Sequence, residues 1–480
     1  MPADTPETPR DALCVIPSTL AVGEEFTVKV KLRGEIRKVP CAGQWRTLKP
    51  ALRSPFNLNV ERGIHYLDDT LDAWRGELRV TGDALDGPDR IPFAPGDGGV
   101  FPGDTRAIRS AGGFRWTRPG FRFLRLVDSA SGVEFWSNPC RVTERPPAER
   151  LYWGDPHWQT FFSDGVRCPE ELYAFARDEA FLDFGAISDH VEAVTDRQWE
   201  YMIGVTNDFN APGRFATLVG LEWTSMKCGH RNVYYRGASG PVLRSTEPGA
   251  DTLDKLWKRL DGIEAIAIPH HSANVMMGVD WSQGWNPARE PAVEIYSVWG
   301  SSECPAGPGN PRPIRTCKGE MPGRHVVDAL KRGYRFGFLG GGDIHDGRPG
   351  DDLHTANFAT GYGDLWPQGF TAAWLPALTR ENLYDAVKAR RTYAASRSRI
   401  WLQVELEAGT SLRVRAASEH GIARAEVIRN GDLAATLRPE ADPRVIDTPT
   451  PAPPLAPGEF LYVRVTTARG EMAWSSPMWG

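Results

Sequence analysis

Several features that would tie a chain to a membrane, a nucleic acid or an oxidising compartment are missing from these 480 residues. No stretch approaches the ~20 consecutive apolar residues needed to cross a bilayer. The opening MPADTPETPRDAL has no basic start followed by an apolar run, so it does not read as a secretory leader. Long runs of one charge are absent as well. The 56 basic and 61 acidic residues leave a net charge of −5, with no basic stripe of the kind that tracks a phosphate backbone. Cysteine is scarce: positions 14, 41, 140, 168, 228, 304 and 317 are scattered, odd in number and without CxxC spacing. Free thiols in a reducing compartment follow, and a cytoplasmic protein that binds neither membrane nor nucleic acid is the expectation. Nothing in the sequence speaks to oligomeric state.

What is abundant points elsewhere. Seventeen Trp and 49 Gly suit strands, turns and pockets better than a helical bundle, and the length calls for two or three domains. Residues 1–145 alternate like a sheet protein: Phe26, Val28, Val30 and Leu32 share one side, FRFLRLV at 121–127 repeats the habit, and PGDGGVFPGD forms a loop. The connector ERPPAER then leads to residues 151–395, where short apolar runs alternate with amphipathic helices. Leu253, Leu256, Trp257 and Leu260 fall at helical spacing before Gly262, and Pro169 opens a helix that puts Leu172, Phe175 and Ala176 on one face. The runs FGAIS, FATLVGL, EAIAIP, PAVEIYSV and YRFGFLG read as strands covered on both faces, which predicts a barrel or open sheet of βα units. From 396 to 480 alternation returns, with Leu412, Val414 and Ala416 on one side and a hairpin signal at Asn430-Gly431, predicting a small β-domain.

In the middle region the polar residues fall where the predicted strands end. The strings are GDPHWQTFFSDG (His157, Gln159, Asp164), ISDH (Asp189, His190), LEWT (Glu222), IPHH (His270, His271), VEIYS (Glu294) and GGDIH (Asp343, His345). Loops at the C-terminal ends of strands converge on one mouth in barrels and open sheets. A single His beside an apolar run is usually a satisfied core residue. Five or six strand ends that all finish in His, Asp or Glu call for divalent transition metals instead.

Taken as a set, these strings resemble the PHP (polymerase and histidinol phosphatase) superfamily. GLEWTSMKCGHRNVYY, VEIYSVWGSSE, LTRENLYDAVKARRTYAASRSRI and YVRVTTARGEMAWSSPMW resemble its DUF3604 branch. The resemblance covers about 150–480. It implies an α/β fold, a distorted (β/α)7 barrel flanked by N- and C-terminal β-sandwich-like domains, and a di- or trinuclear centre of two or three Mn, Fe or Zn ions. It also implies ligand roles for His157, Asp164, His190, Glu222 (bridging), His270, Asp343 and His345, with His271 and Glu294 matching less closely. Gln159 departs from the pattern: it stands where the HxH motif has its second His, and an amide oxygen is a poorer ligand than imidazole.

The expected activity is hydrolysis of a small anionic ester, a phosphoester first, by a water that the ions acidify. A sulfate ester, phosphonate ester or phosphotriester would make similar demands, and a degenerate barrel used only for binding is the reading from another class. His230, Arg231 and Asp343 are candidate catalytic residues. Arg231, Asn232, Trp158, Trp223 and Tyr296 are candidate substrate contacts, with Trp299, Arg315 and Arg348 as further candidates. The Gly- and Pro-rich segment 301–325 is expected to form a loop or lid over the mouth.

Overall fold

The computed structural model of the protein describes residues 8–40, 65–94, 105–351, 353, 365–407 and 411–480; Cys41 and the PGDGGVFPGD loop lie outside them. The N-terminal region is built from strands. Glu25–Pro40 pairs antiparallel with Asp11–Val15, His65–Thr70 and Ile108–Trp116, and a second sheet centres on Gly76–Thr81 and Arg125–Asp128. The side chains expected to face inward do so: Phe26, Val28, Val30 and Leu32 are buried in one core with Leu78, Val80, Trp116 and Leu126.

The rest of the chain is mixed α/β and mostly strand. One ten-stranded sheet runs, in order, through Ala216–Thr217, Phe184–Ile187, Arg150–Trp158, Gly369–Leu375, Thr392–Ser396, Met472–Ser475, Phe460–Thr467, Ile422–Arg429 and Asp432–Leu437, with Met478–Trp479 also on Phe460–Thr467. Its first three strands are parallel and the remaining pairs antiparallel. The Asn430-Gly431 turn joins the last two, both residues holding positive φ (52° and 87°) as a tight primed hairpin requires. Two three-stranded sheets stand beside the large one: Val219–Trp223, Arg231–Tyr235 and Ala265–Pro269, all antiparallel, and Gly300–Ser301, Ala292–Ser297 and Gly337–Gly340.

A (β/α)7 barrel is not shown by the described residues, which are strand-rich with few helices. Parallel strands need a returning helix between them, whereas here the 219–269 strands turn back on each other directly and Ser297 is followed by a long coil before the helix Val326–Lys331. The five α-helices among the described residues are short, the longest being Asp196–Phe209. Two of the expected helices are present. Leu253–Arg259 buries Leu253 and Leu256 and stops before Gly262, whose φ is 76°, while Pro169–Ala174 runs into a wider turn at Phe175–Glu179. The sheets are stitched where the chemistry-bearing residues lie, through a bridge between His190 and Glu222 and another between Trp158 and Ile344.

Candidate metal centre

The end of the strand Arg150–Trp158 carries His157. Two residues earlier, Asp155 accepts hydrogen bonds from the backbone N–H groups of His157 (3.0 Å) and Gly342 (2.7 Å), tying this strand end to the GGDIH turn. The Nδ1–H of His157 donates to Glu294 at 3.0 Å, since a carboxylate can only accept. Its Nε2 faces Asp343 Oδ1 (3.2 Å) and Glu222 Oε2 (3.4 Å). Glu294 therefore orients a candidate ligand and stands outside the candidate ligand groups themselves.

Glu222 lies at the centre. His190 Nδ1 (3.3 Å), His230 Nδ1 (2.7 Å) and His270 Nε2 (3.2 Å) all approach its Oε1. Neither ring nitrogen of His230 or His270 makes a hydrogen bond, although all these atoms are buried. Nitrogens close to a carboxylate but misaligned for hydrogen bonding share a target point, as ligands of one ion do. Among the described residues, three groups of potential ligand atoms emerge, each within 4.8 Å: Glu222, His230, His270 and His271; His157, His270 and Asp343; and Asp164, His190 and His345. These residues fit divalent ions. His270 belongs to two groups, and His230, a candidate catalytic residue from the sequence, joins the first as a candidate ligand.

The third group sits at the rim, where the Asp164 side chain is about half exposed (48%). His345 Nδ1–H donates to the Asp343 carbonyl at 3.0 Å, which leaves its Nε2 3.2 Å from Asp164. His190 is held from behind by Thr224, whose Oγ1 lies 2.6 Å from its Nδ1. Two ligand positions, His271 (φ 32°) and Asp343 (φ 48°), hold left-handed backbone that non-glycine residues adopt only when the surroundings impose it.

The electrostatics separate the imidazoles. Burial, then the neighbouring imidazoles His270 and His230, holds His271 well below the ordinary range, and burial lowers His230 despite Glu222. For His190 burial works the same way but is outweighed by Glu222 and Asp164, and the ring is pushed up to about 10. His157 and His345 are likewise raised against burial, by Asp343 and Glu294 in the first case and by Asp164 in the second. Burial would raise the Glu222 and Asp164 carboxyls, yet the imidazoles around them hold both below the usual carboxylate range.

Gln159 is placed differently from the ligand role considered for it. Its amide N–H donates to Glu222 Oε2 at 2.7 Å, while its oxygen accepts from the His190 backbone N–H (3.2 Å) and Ser163 Oγ (3.0 Å). With that oxygen engaged twice, Gln159 braces the central carboxylate. Asp189 is also a brace, accepting from Thr160 N and Oγ1 (both 2.7 Å) and from Ser163.

The proposed substrate contacts divide. Asn232 lies directly opposite Glu222 across the ladder, on the same face, and Trp299 Nε1–H donates to Asp343. Trp158 is buried edge-on to Tyr173, Trp223 donates to the Ala250 carbonyl (2.7 Å), and Tyr296 donates to the Pro367 carbonyl (2.8 Å) while stacking on Trp474. These three are core residues, because a side chain on a strand fully covered on both faces has nowhere else to go. Arg231 is bound to Glu290 (3.1 Å) and to the Cys228 and Gly229 carbonyls, and Arg348 to Asp69 (2.9 Å) and Asp351 (3.1 Å). Both are held by internal carboxylates. Arg315 lies over the Trp366 ring at 3.7 Å. Asp155 and Thr224 went unnoticed in the sequence. Each sits two residues from a ligand on the same strand face, which is the signal that could have found them.

The family model described as "Protein of unknown function (DUF3604)" matches residues 170–307, a stretch holding His190, Glu222, His230, His270, His271 and Glu294, and the DUF3604 resemblance stands on it. Among curated proteins, uncharacterised proteins of Chlamydia muridarum and Chlamydia pneumoniae are each 30% identical, over 398 and 395 residues, 76% of this chain and 62% of theirs. The chain thus spans about 62% of the length of these relatives. Among solved structures, a two-domain protein from Bacteroides vulgatus containing a predicted PHP-like metal-dependent phosphoesterase aligns with a TM-score of 0.34 at 14% identity, over 68% of this chain and 90% of that one. No helix among the described residues is long and apolar enough to cross a membrane.

Proposed function

We propose that this protein is a metal-dependent hydrolase of a small anionic ester, with a phosphate ester as the first substrate class. The observation that carries the reading is the presence of three ligand groups among the described residues, two of them sharing His270, with buried imidazole nitrogens that no described protein donor or acceptor satisfies. Glu222, His230, His270 and His271 would hold one ion, His157, His270 and Asp343 a second, and Asp164, His190 and His345 a third. When bound, divalent ions supply an acidified water and neutralise charge that develops on the ester oxygens. The chain's own work is positional. Glu294 and Asp155 aim His157, Gln159 holds Glu222, Thr224 holds His190, and Trp299 holds Asp343 through its free oxygen. Asp164, half exposed at the rim, lies beside His190 and His345 and completes the third group at the edge of the mouth. With Arg231 and Arg348 bound to internal carboxylates, charge neutralisation at the ester falls to the ions.

Elemental analysis of the purified chain, paired with hydrolysis of nitrophenyl phosphate mono-, di- and triesters and nitrophenyl sulfate, tests this reading. Two or more equivalents of Mn, Fe or Zn with chelator-sensitive turnover support it, and the preferred ester ranks phosphate against sulfate and triester substrates. No metal and no turnover after these ions are added back would reduce the centre to a binding scaffold.

A further inference from the structure

Away from the metal centre, a cavity of about 580 Å³ opens where the strand Asp11–Val15, the turn at Gly350–Asp351 and the C-terminal turns at 397–399, 419–420 and 469–471 meet. None of the candidate metal ligands lines it. We propose that this cavity is a second ligand site, which binds a small molecule through a phosphate, sulfate or carboxylate group.

The argument is one of unmatched charge. Four of the five carboxylates lining the cavity pair with a lysine or arginine: Asp11 with Arg33 (3.0 Å), Glu134 with Arg125 (2.8 Å), Asp351 with Lys31 (2.8 Å) and Glu471 with Arg312 (2.8 Å); the fifth, Glu419, has His420 at 3.5 Å and leaves one negative charge against three arginines. Three arginines on the same walls, Arg397, Arg399 and Arg469, have no carboxylate of the described residues within 4.0 Å. Arg399 is the telling one. It is only 5% exposed, its Nη2 donates to the Ala180 and Phe181 carbonyls (2.9 and 3.2 Å), and its Nε–H has no acceptor. The Phe370 ring lies 5.5 Å from the guanidinium carbon, a soft neighbour that supplies no counter-charge.

Burying a cation without an opposite charge is costly, and evolved interiors pair such groups or place them where a ligand does. Burial lowers the Arg399 guanidinium to about 10, and the more distant Asp183, Glu419 and Asp351 offset only part of that. Arg397 holds left-handed backbone (φ 40°), strain of the kind that concentrates at ligand-binding turns. An anion seated between the three arginines would satisfy the Arg399 donor and cancel the excess positive charge. The volume suits a molecule larger than a bare ion, with its anionic end at Arg399.

The test is calorimetric titration of the full metal-stripped chain with inorganic phosphate, sulfate and succinate. An Asp343→Asn chain is titrated in parallel to separate this cavity from the metal centre. At least one of the three anions should bind both chains at one equivalent. Affinity should fall about tenfold or more in Arg399→Met and in the rim double variant R397S/R469S. Should Arg399→Met fail to fold, the rim variant decides alone. The proposal is overturned if none of the anions binds, if binding disappears in Asp343→Asn, or if it survives unchanged in R397S/R469S. Phosphate or sulfate binding without succinate would assign a tetrahedral anion, and the reverse a carboxylate.

Discussion

At the scale of single residues, the centre is defined as much by its braces as by its ligands. Replacing Asp343 or His190 with Ala should abolish turnover and lower metal content, and full activity in either variant would remove them from the site. Glu294→Gln keeps a hydrogen-bond acceptor but loses the charge behind His157, so metal affinity should drop about 10- to 100-fold while the fold survives. Titration with a chromophoric chelator measures it. Gln159→His would place an imidazole where an amide now braces Glu222, and metal stoichiometry should change; an identical metal profile would show that this position does not reach an ion. The pH dependence follows from His190. Its folded value, about 10, lies above the ordinary 6.5, so its protonated contacts stabilise the metal-free chain fully below about 6.5 and lose that contribution as pH rises towards 10. Metal must displace that proton. Affinity should therefore rise with pH through the same window, and calorimetry in buffers of different ionisation heat should register proton release on binding.

At the scale of elements, the segment 301–325 shows how context overrides composition. Its Gly and Pro content suggests a mobile lid, yet Glu303 accepts from Tyr462 (2.6 Å), Arg464 (2.8 Å) and Trp474 (2.6 Å), and Arg312 pairs with Glu471 (2.8 Å). Met321 N–H donates to the Ala273 carbonyl (2.7 Å) and Val275 N–H to Gly319 (3.0 Å), so the far end is stitched to the loop that follows His271. Breaking a buried ion pair from one side leaves the other charge stranded. Glu303→Ala should cost about 3–5 kcal/mol in unfolding free energy, read from denaturant melts. Hydrogen exchange at Ser301 and Ser302 should be as slow as in the neighbouring strands, and fast exchange there would restore the lid.

At the scale of the whole molecule, the N-terminal region holds the turn that carries His345. Lys31, fully buried, pairs with Asp351 (2.8 Å), Arg33 joins the same carboxylate, and Arg348 reaches Asp69 (2.9 Å), Asp351 (3.1 Å) and the Leu67 carbonyl (2.9 Å). Arg348 is three residues past His345, so this network fixes one wall of the centre. Lys31→Met should destabilise the chain by about 3 kcal/mol and weaken metal binding together. Unchanged metal affinity would confine the network to a structural role. Burial would raise Asp351, but Arg33, Lys31 and Arg348 hold it below its usual 3.8. Its contribution is thus complete above about pH 4 and is lost as acid drives the carboxyl through its lowered value, which predicts steep acid unfolding.

The sequence by itself determined the candidate chemistry-bearing residues and the local elements. The strand ends finishing in His, Asp and Glu, the helix before Gly262, the Asn430-Gly431 turn and the inward stripe from Phe26 to Leu32 all follow from side-chain type and short-range periodicity. Only the tertiary structure decided which polar groups touch. Gln159 and Glu294 stand in the same strings as the ligands, and their parts as braces depend on angles and partners more than sixty residues away. Arg231 and Arg348 read as substrate contacts because a guanidinium near a ligand motif suits an anion, but burial demands a partner and Glu290, Asp69 and Asp351 were nearer. Trp158, Trp223 and Tyr296 read as a pocket wall because strand-end aromatics can face either way. Strand direction was not legible for a related reason: apolar runs mark covered strands but carry no record of their direction, which hydrogen-bond pairing between distant segments sets.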